Sequence, residues 1–421
     1  MNAYRTATAL SAGTVLLAAG AAHAATLSAD ETRAMVAEMM ADADRNSSYA
    51  SMPGWEAAST VEVTGAIQFR YIANFRDEED DGDDGIPANQ DDFDSGFQFA
   101  STELMFAGTV GDDQVFDYYI QALVNTDGNF ALDDAWIGYR LGDNWTLQMG
   151  QIAVPFWREL LIDDVYQLAV DRSLLFANTG PILTQGISFI YQDESLRGWL
   201  QFSDGIGGQN TSITDNATTP FFNPGGGESD YAVTGRLEYK GAGQWAQFDD
   251  FTSAPGSEFA WLLGGAAIFT GGEPANDDEY TGFGWTADLS LEGDGWNAYA
   301  AYVGFYTDLE RDAPLDDADF TDHGFLVQGG VFIPDTDWEV FGRWDSIIPD
   351  GDRDGDEVFN TITAGANYYI HGHAAKFTAD VQWSLEAATE NDIVQTQERF
   401  GFLGDDDDNE LALRAQFQLM F

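Results

Sequence analysis

Residues 131–150 read ALDDAWIGYRLGDNWTLQMG and form two alternating runs around a tight turn. In each run, apolar side chains occupy every second position, and polar or small side chains occupy most of the positions between them. Gly, Asp and Asn at 142–144 supply the turn chemistry. A period of two with opposed faces is typical of a β-strand whose two faces meet different media. The stretch therefore predicts an antiparallel hairpin, with Asp134, Trp136 and Arg140 opposite its apolar face.

The segment that follows the hairpin has a different character. Pro155 ends strand pairing because it lacks an N–H donor. The residues from there to Asn178 combine large apolar side chains with several charges and show no strand period. A long, charged connection between strands is commonly functional. Its apolar residues favour a segment that is ordered and docked.

The alternation of the hairpin recurs through most of the chain, most clearly at 61–76. A soluble sandwich also has an apolar face and a polar face. Aromatic residues near the strand ends, and tight turns that alternate with long polar loops, favour an outer-membrane barrel. Counting the runs predicts an all-β, transmembrane antiparallel β-barrel of about 16 strands. Residues 241–256 are the exception, since they are long where a short turn is due, and we expect a periplasmic loop there that could touch a neighbour.

Both chain ends agree with a barrel. The apolar run 7–19 follows Arg5 and precedes Ala-His-Ala at 22–24, which predicts a secretory signal peptide over 1–24. Residues 25–58 predict a short periplasmic helix and linker, either frayed in solution or serving oligomerisation or cell-wall contact. The barrel is predicted over 59–421. Its last strand ends on an outward Phe421, as outer-membrane barrels generally do.

Composition excludes several classes of protein. The chain has 421 residues, no Cys, and 17 Lys and Arg against 72 Asp and Glu, for a formal charge of −55. Without Cys there are no disulfides and no thiolate zinc sites. So acidic a chain repels nucleic acid, whose binding depends on cationic contacts to phosphate. The acidic runs at 77–84 and 405–408 predict a solvated, repulsive outer rim.

The motifs DAWIGYR, GQIAVPFWRE and DRSL in residues 134–174 resemble the bacterial phosphate-selective porin O and P family. The resemblance extends, less specifically, from Val61 to Phe421. It implies an outer-membrane porin that passes small hydrophilic solutes and ions, a loop folded into the pore after the hairpin, and a homotrimer within outer-membrane lipid. We expect no cofactor, with a loop-bound calcium ion as the alternative considered below. Relatives carry an Arg-rich run where this chain has Ala100, Ser101, Thr102 and Glu103, so phosphate selectivity is not carried over.

Charged and polar residues of the barrel are the candidate pore residues. The constriction candidates are Arg140, Arg158, Glu159, Asp163, Asp164, Asp171 and Arg172. They serve either as a direct electrostatic filter or as a salt-bridged loop anchor. The pore-lining candidates are Gln68, Arg70, Asn74, Arg76, Asp134, Trp136, Arg236, Arg343 and Arg414. We expect cation attraction at the acidic mouth, with a short anion-tolerant step at the arginines.

Two further hypotheses concern other chemistry. Asp350, Asp352, Asp354 and Asp356 alternate around Gly, which matches half of a calcium loop, although Thr361 stands where an EF-hand needs Glu. A generic divalent atmosphere explains the same pattern. The alternatives to a porin are a structural or adhesin barrel with an occluded lumen and an outer-membrane hydrolase. The few histidines give the hydrolase little support, because such an enzyme needs a placed nucleophile and base.

Overall fold

The computed structural model describes residues 60–76, 93–111, 115–124, 130–207, 229–272, 279–310, 318–404 and 408–421. The predicted signal peptide, the predicted helix within 25–58, the acidic run 77–84 and residues 405–407 lie outside the described residues. No helix among the described residues is long and apolar enough to cross a bilayer.

Sixteen antiparallel strands pair in chain order and close into one barrel, which confirms the predicted fold class. The strands are β1 Glu62–Phe75, β2 Phe93–Val110, β3 Phe116–Val124, β4 Phe130–Arg140, β5 Trp145–Ala153, β6 Leu183–Gln192, β7 Leu196–Ser203, β8 Tyr231–Ala242, β9 Ala260–Gly272, β10 Glu279–Gly293, β11 Trp296–Glu310, β12 Ala318–Phe332, β13 Trp338–Ile348, β14 Phe359–His371, β15 Ala375–Ser384 and β16 Leu411–Met420.

The two-residue period places apolar side chains outside the barrel and polar ones inside. In β1, Phe69 is exposed on the outer face, while its neighbours Gln68 and Arg70 are buried inside. The Phe69 ring stacks on Phe97 of β2 at 5.4 Å. An apolar outer face is what a lipid-facing wall requires, because lipid offers no partner to polar groups. The alternation along each strand therefore separates the lipid face from the lumen.

Apart from the connection between β8 and β9, short turns lie at one rim and long loops at the other, so the short-turn rim is the periplasmic one. Gly295 makes the turn between β10 and β11 with φ of 73°, a backbone region that glycine tolerates best. The barrel also closes near this rim. The Gly65 N–H donates to the Phe421 carbonyl at 2.8 Å, and the Phe421 N–H donates to the Gly65 carbonyl at 3.0 Å.

Residues 154–182, the inward loop, leave β5 and fold into the barrel. They contain α1 (Arg158–Leu161), a 3-10 turn (Asp164–Tyr166) and α2 (Leu174–Thr179). Ser173 caps α2, because its hydroxyl accepts from the Phe176 N–H at 3.0 Å. The predicted docked segment is therefore present and ordered.

Residues 243–259, the periplasmic segment, join β8 to β9 and include a 3-10 turn (Trp245–Phe248). Phe248 and Phe251 are almost fully buried. The Phe251 N–H donates to the Tyr166 carbonyl of the inward loop at 3.3 Å, and its ring packs on Tyr299 of β11 at 4.9 Å. The long connection that the sequence analysis expected to be a periplasmic loop thus folds into the barrel interior.

The core lies inside the barrel, between the inward loop and the wall from β9 to β14. One cluster of buried apolar side chains joins Trp157 and Leu175 of the loop to Phe305, Leu326 and Phe341 of the wall. Phe400 and Phe402 of the final outer loop, residues 385–410, belong to the same cluster. This side of the lumen is packed like the interior of a soluble protein.

Candidate functional site

Asp171 is the main anchor of the inward loop. Its carboxylate accepts from Arg70 Nη1 of β1 at 2.6 Å, and its carbonyl accepts from Arg343 Nη1 of β13 at 2.8 Å. Burial opposes ionisation, but the guanidinium groups of Arg70 and Arg399 outweigh it and hold the pKa of Asp171 below its ordinary value. The ionised Asp171 thus links the inward loop to the barrel wall at β1 and β13.

Other wall residues bond to the backbone of the inward loop. Asp380 accepts from the Val170 N–H at 3.0 Å, and Asp345 accepts from the Leu175 N–H at 3.1 Å. Lys376 Nζ donates to the Gln167 carbonyl at 3.0 Å. Because these bonds come from two strands, β13 and β15, the loop cannot shift as a rigid body without breaking several of them.

Arg158 and Glu159 are also structural. Arg158 is 1% exposed; its Nη2 donates to the Phe248 carbonyl at 2.5 Å and its Nε to Ser290 Oγ at 3.0 Å. Glu159 accepts from the Ser173 N–H at 3.0 Å and from the Ser173 hydroxyl at 2.6 Å. The sequence predicted either an electrostatic filter or a loop anchor. Arg158 and Glu159 both have the contacts of a loop anchor.

The arginines predicted to line the pore face inward as expected, but they do not border an open passage. The inward loop and the final outer loop cover them, and each of them is at least 97% buried: Arg70, Arg236, Arg343 and Arg414, together with Gln68 and Asn74. Arg414, for example, donates to Asp380 at 2.7 Å and to the Phe400 carbonyl at 2.7 Å. The predicted anion-tolerant passage along these arginines is therefore wrong. Their side chains are buried and hold the loops against the barrel wall.

Two further arginines lie elsewhere in the barrel. Arg76 ends β1 at the outer rim and pairs with Asp94 at 2.5 Å. Arg140 ends β4 at the periplasmic rim, where its side chain is half exposed and pairs with Asp117 at 2.8 Å. Its predicted placement in the constriction is wrong. Arg140 lies at the turn between β4 and β5, whereas the inward loop begins at the opposite end of β5.

The open face of the inward loop carries charges of both signs. Asp164 pairs with Arg172 of the loop and with Arg399 of the final outer loop, the latter at 2.6 Å. Asp163 lies beside them, half buried; burial, with the neighbouring charge of Asp164, raises its pKa. Asp163, Asp164 and Arg172 are the predicted constriction residues that the structure brings together.

The barrel wall adds residues that sequence reasoning missed. Glu103 of β2 and Asp133 of β4 are within electrostatic range of Asp164, and Asp134, a predicted pore residue, is in range of Asp163. Tyr119 of β3 stacks on the predicted Trp136 at 5.7 Å. The inward parity of Glu103 was readable from the sequence, but its distance from a loop 60 residues away was not.

The predicted calcium ligands are dispersed. Asp350 accepts from the Thr321 N–H at 2.7 Å and from the Asp352 N–H at 3.0 Å, while Asp356 bridges to Asn391. Arg353, in the middle of the motif, instead pairs with Asp322 at 2.5 Å. No group of three acidic or histidine side chains able to hold a metal forms among the described residues, Asp354 included. Calcium binding stays a prediction.

A closed 16-strand barrel with a loop folded into its lumen defines the porin class of outer-membrane protein. The model of the phosphate-selective porin O and P family matches residues 73–249, which confirms the predicted resemblance from the end of β1 through β8, with the inward loop included. No curated protein matches the chain.

Solved outer-membrane barrels share the fold at low sequence identity. The anion-selective porin from Comamonas acidovorans has a TM-score of 0.58 at 11% identity, covering 86% of this chain and 100% of that one. The outer membrane channel DcaP of Acinetobacter baumannii has a TM-score of 0.54 at 14% identity, covering 86% and 98%. OmpT, an outer membrane protein of Vibrio cholerae, reaches 0.52 at 12% identity with the same coverage.

Proposed function

We propose that the chain is an outer-membrane porin through which small hydrophilic solutes and ions diffuse passively. The main support for this proposal is the inward loop. Hydrogen bonds attach it to one side of the lumen, and its other face presents Asp163, Asp164 and Arg172. A fixed, charged narrowing inside a barrel is the arrangement that selects ions in pores. The family match and the fold point to a channel rather than an enzyme.

The proposed channel prefers cations. The arginines that would favour anions are neutralised in the anchors, whereas carboxylates remain on the open face. At physiological salt, exposed charges act over about 8 Å, so their effect is strongest in a narrow passage and weakens as salt rises. The preference for K⁺ over Cl⁻ should therefore be largest at low ionic strength.

The test is planar-bilayer recording of the purified, heat-modifiable protein. We expect discrete conductance steps, and a zero-current potential across a KCl gradient that reports cation preference and shrinks at high salt. A chloride preference at low salt would overturn the charge assignment. Folded protein that gives no conductance steps would overturn the channel itself.

A barrel with an occluded lumen is the second candidate. The observation that favours it is the apolar cluster between the inward loop and β9 to β14, because a dry core of this kind excludes water from that half of the lumen. The same bilayer recording separates the two candidates, since an occluded barrel inserts without passing current.

We also propose a homotrimer whose protomers meet through lipid-facing strands. A trimer form of OmpT from Vibrio cholerae is among the solved structures with this fold. The exposed aromatic ladder of β1 and β2, which includes Phe69, Phe97 and Phe99, offers one apolar surface of the required kind. The particle mass in mild detergent, before heating, should be three times that of the chain; a monomer mass contradicts the proposal.

A further inference from the structure

Four carboxylates surround one tyrosine on the open side of the lumen. Glu103 belongs to β2, Asp133 and Asp134 to β4, and Asp163 to the inward loop. All four are within electrostatic range of Tyr119 on β3. Two strands, β2 and β4, and the inward loop thus place four acidic side chains near the tyrosine of β3, which lies between those strands.

The positive charges nearby do not neutralise this acidic site. Arg172 and Arg399 both pair with Asp164, which lies at its edge. Among the described residues, neither Glu103, Asp134 nor Asp163 forms an ion pair with Lys, Arg or His within 4.0 Å. The site therefore holds more acidic than basic side chains in a confined space, where screening by salt is weak.

Glu103 is a second and independent indication of a missing positive partner. It is 3% exposed, and one of its carboxylate oxygens accepts from the Ser101 hydroxyl. The other oxygen has no hydrogen-bond partner among the described residues. The carboxylates of Asp163, Asp164 and Asp133 are its charged neighbours, together with the Arg399 guanidinium, which does not form an ion pair with it. A buried carboxylate without a partner is expensive, and a cation that enters the site relieves this cost.

The surroundings favour an organic cation over a bare metal ion. No three acidic side chains of the described chain are close enough to hold a metal. Instead, the stacked rings of Tyr119 and Trp136, 5.7 Å apart with an interplanar angle of 25°, form an aromatic wall beside Asp134. A carboxylate next to an aromatic face attracts ammonium groups through charge and through the ring quadrupole.

We propose that the site formed by Glu103, Asp133, Asp134 and Asp163 with Tyr119 and Trp136 binds small organic cations that carry an ammonium group. The proposal rests on the proposed channel function, for which it names the substrate class. Asp134 and Asp163 contact the ammonium group, Trp136 covers the attached alkyl chain, and Glu103 adds its field from behind. A phosphate-bearing solute is repelled at the same place.

The experiment measures block of the K⁺ current through single channels by putrescine, a diamine, with 1,4-butanediol as the neutral probe of equal length. Putrescine should block at concentrations where the diol has no effect. Asp134→Asn and Asp163→Asn should each raise the half-blocking concentration about five- to tenfold, since each removes one charge partner. Trp136→Leu should raise it about threefold through loss of the aromatic face.

Asp117→Asn is the matched control, because Asp117 faces the same lumen but pairs with Arg140 at the periplasmic rim. It should leave the block unchanged. Equal block of the wild type by putrescine and the diol, or equal loss of block in the control, overturns the proposal.

A second readout separates this proposal from the channel function. Calorimetric titration of the detergent-solubilised protein with putrescine does not require conduction. Binding that weakens in Asp134→Asn supports the site even in a barrel that passes no current. Conductance steps without block and without calorimetric binding overturn the site and leave the channel standing.

Discussion

Arg158 of the inward loop and Phe248 of the periplasmic segment meet inside the barrel, where Arg158 Nη2 donates to the Phe248 carbonyl at 2.5 Å. The guanidinium also lies 5.8 Å from the ring centroids of both Phe248 and Phe251. One partner comes from the outer rim and the other from the periplasmic rim. The position of the constriction therefore depends on a segment that reaches it from the opposite side of the membrane.

Phe251→Ala should loosen the constriction without touching it. Removing a buried phenyl ring from a packed core costs about 3–5 kcal/mol, and Phe251 lies between Tyr299 and the Arg158 guanidinium. Single-channel recording should show larger and noisier open-state current. Phe259→Ala, in the same segment but 55% exposed, is the matched control and should conduct as the wild type does. Identical traces from both variants contradict a supporting role for the segment.

Asp171→Asn should release the inward loop from the wall. The change leaves the buried Arg70 without its counter-charge, and breaking a buried ion pair from one side costs about 3–5 kcal/mol. The temperature at which the folded band disappears in a heat-modifiability assay should fall, and current fluctuations should grow. Arg140→Gln breaks a rim pair worth about 0–1 kcal/mol and should change neither. A large effect of Arg140→Gln would return that residue to the constriction.

Cation preference should fall as the pH falls, beginning above the usual titration range of Asp. Burial beside Asp164 raises the pKa of Asp163 above its ordinary value of about 3.9. A carboxyl with a raised pKa takes up its proton at a higher pH, so its negative charge is lost earlier during acidification. Zero-current potentials across a KCl gradient, measured at steps from pH 8 to pH 4, report this directly. Asp163→Asn should flatten the upper part of the profile, and a wild-type profile already flat over this range argues against the charge of Asp163 in the passage.

Arg399→Gln should increase the preference for cations. Arg399 is the cation of the site whose side chain is 37% exposed, and it pairs with Asp164 at 2.6 Å. Its loss removes a positive charge and frees part of a negative one. A partly exposed pair contributes up to about 1 kcal/mol, which corresponds to roughly a fivefold change in the permeability ratio. Unchanged selectivity would mean that ions do not pass this residue.

The barrel was predictable because the alternation of polar and apolar residues shows which face of each strand points to lipid and which to the lumen. The alternation at Gln68, Phe69 and Arg70 is a local property of the backbone, and it requires no knowledge of the neighbouring strands. The tight turns at Asp193-Glu194 and at Gly295 are equally local. Strand number and lumen-facing parity follow from such signals alone.

The site was only partly predictable, because inward parity does not tell which inward residues remain uncovered. Arg70 and Asp134 share that parity, yet the inward loop and the final outer loop cover Arg70 fully and leave Asp134 only half-buried. The choice depends on contacts such as that of Arg70 with Asp171, across 101 residues. Likewise, no local sequence pattern predicts that the periplasmic segment folds into the barrel. The burial of Phe248 and Phe251 depends on contacts with Tyr299 and Arg158, which are distant in sequence.

The carbonyl of Val165 accepts from Lys376 Nζ of β15 at 3.4 Å and from Gln418 Nε2 of β16 at 3.0 Å, across 211 and 253 residues. Contacts so distant in sequence form late during folding. The last two strands of the chain therefore hold the inward loop, and β16 also closes the barrel against β1. Because β16 also pairs with β1, the strand that closes the barrel is one of the strands that hold the inward loop, so barrel closure and constriction share the same residues.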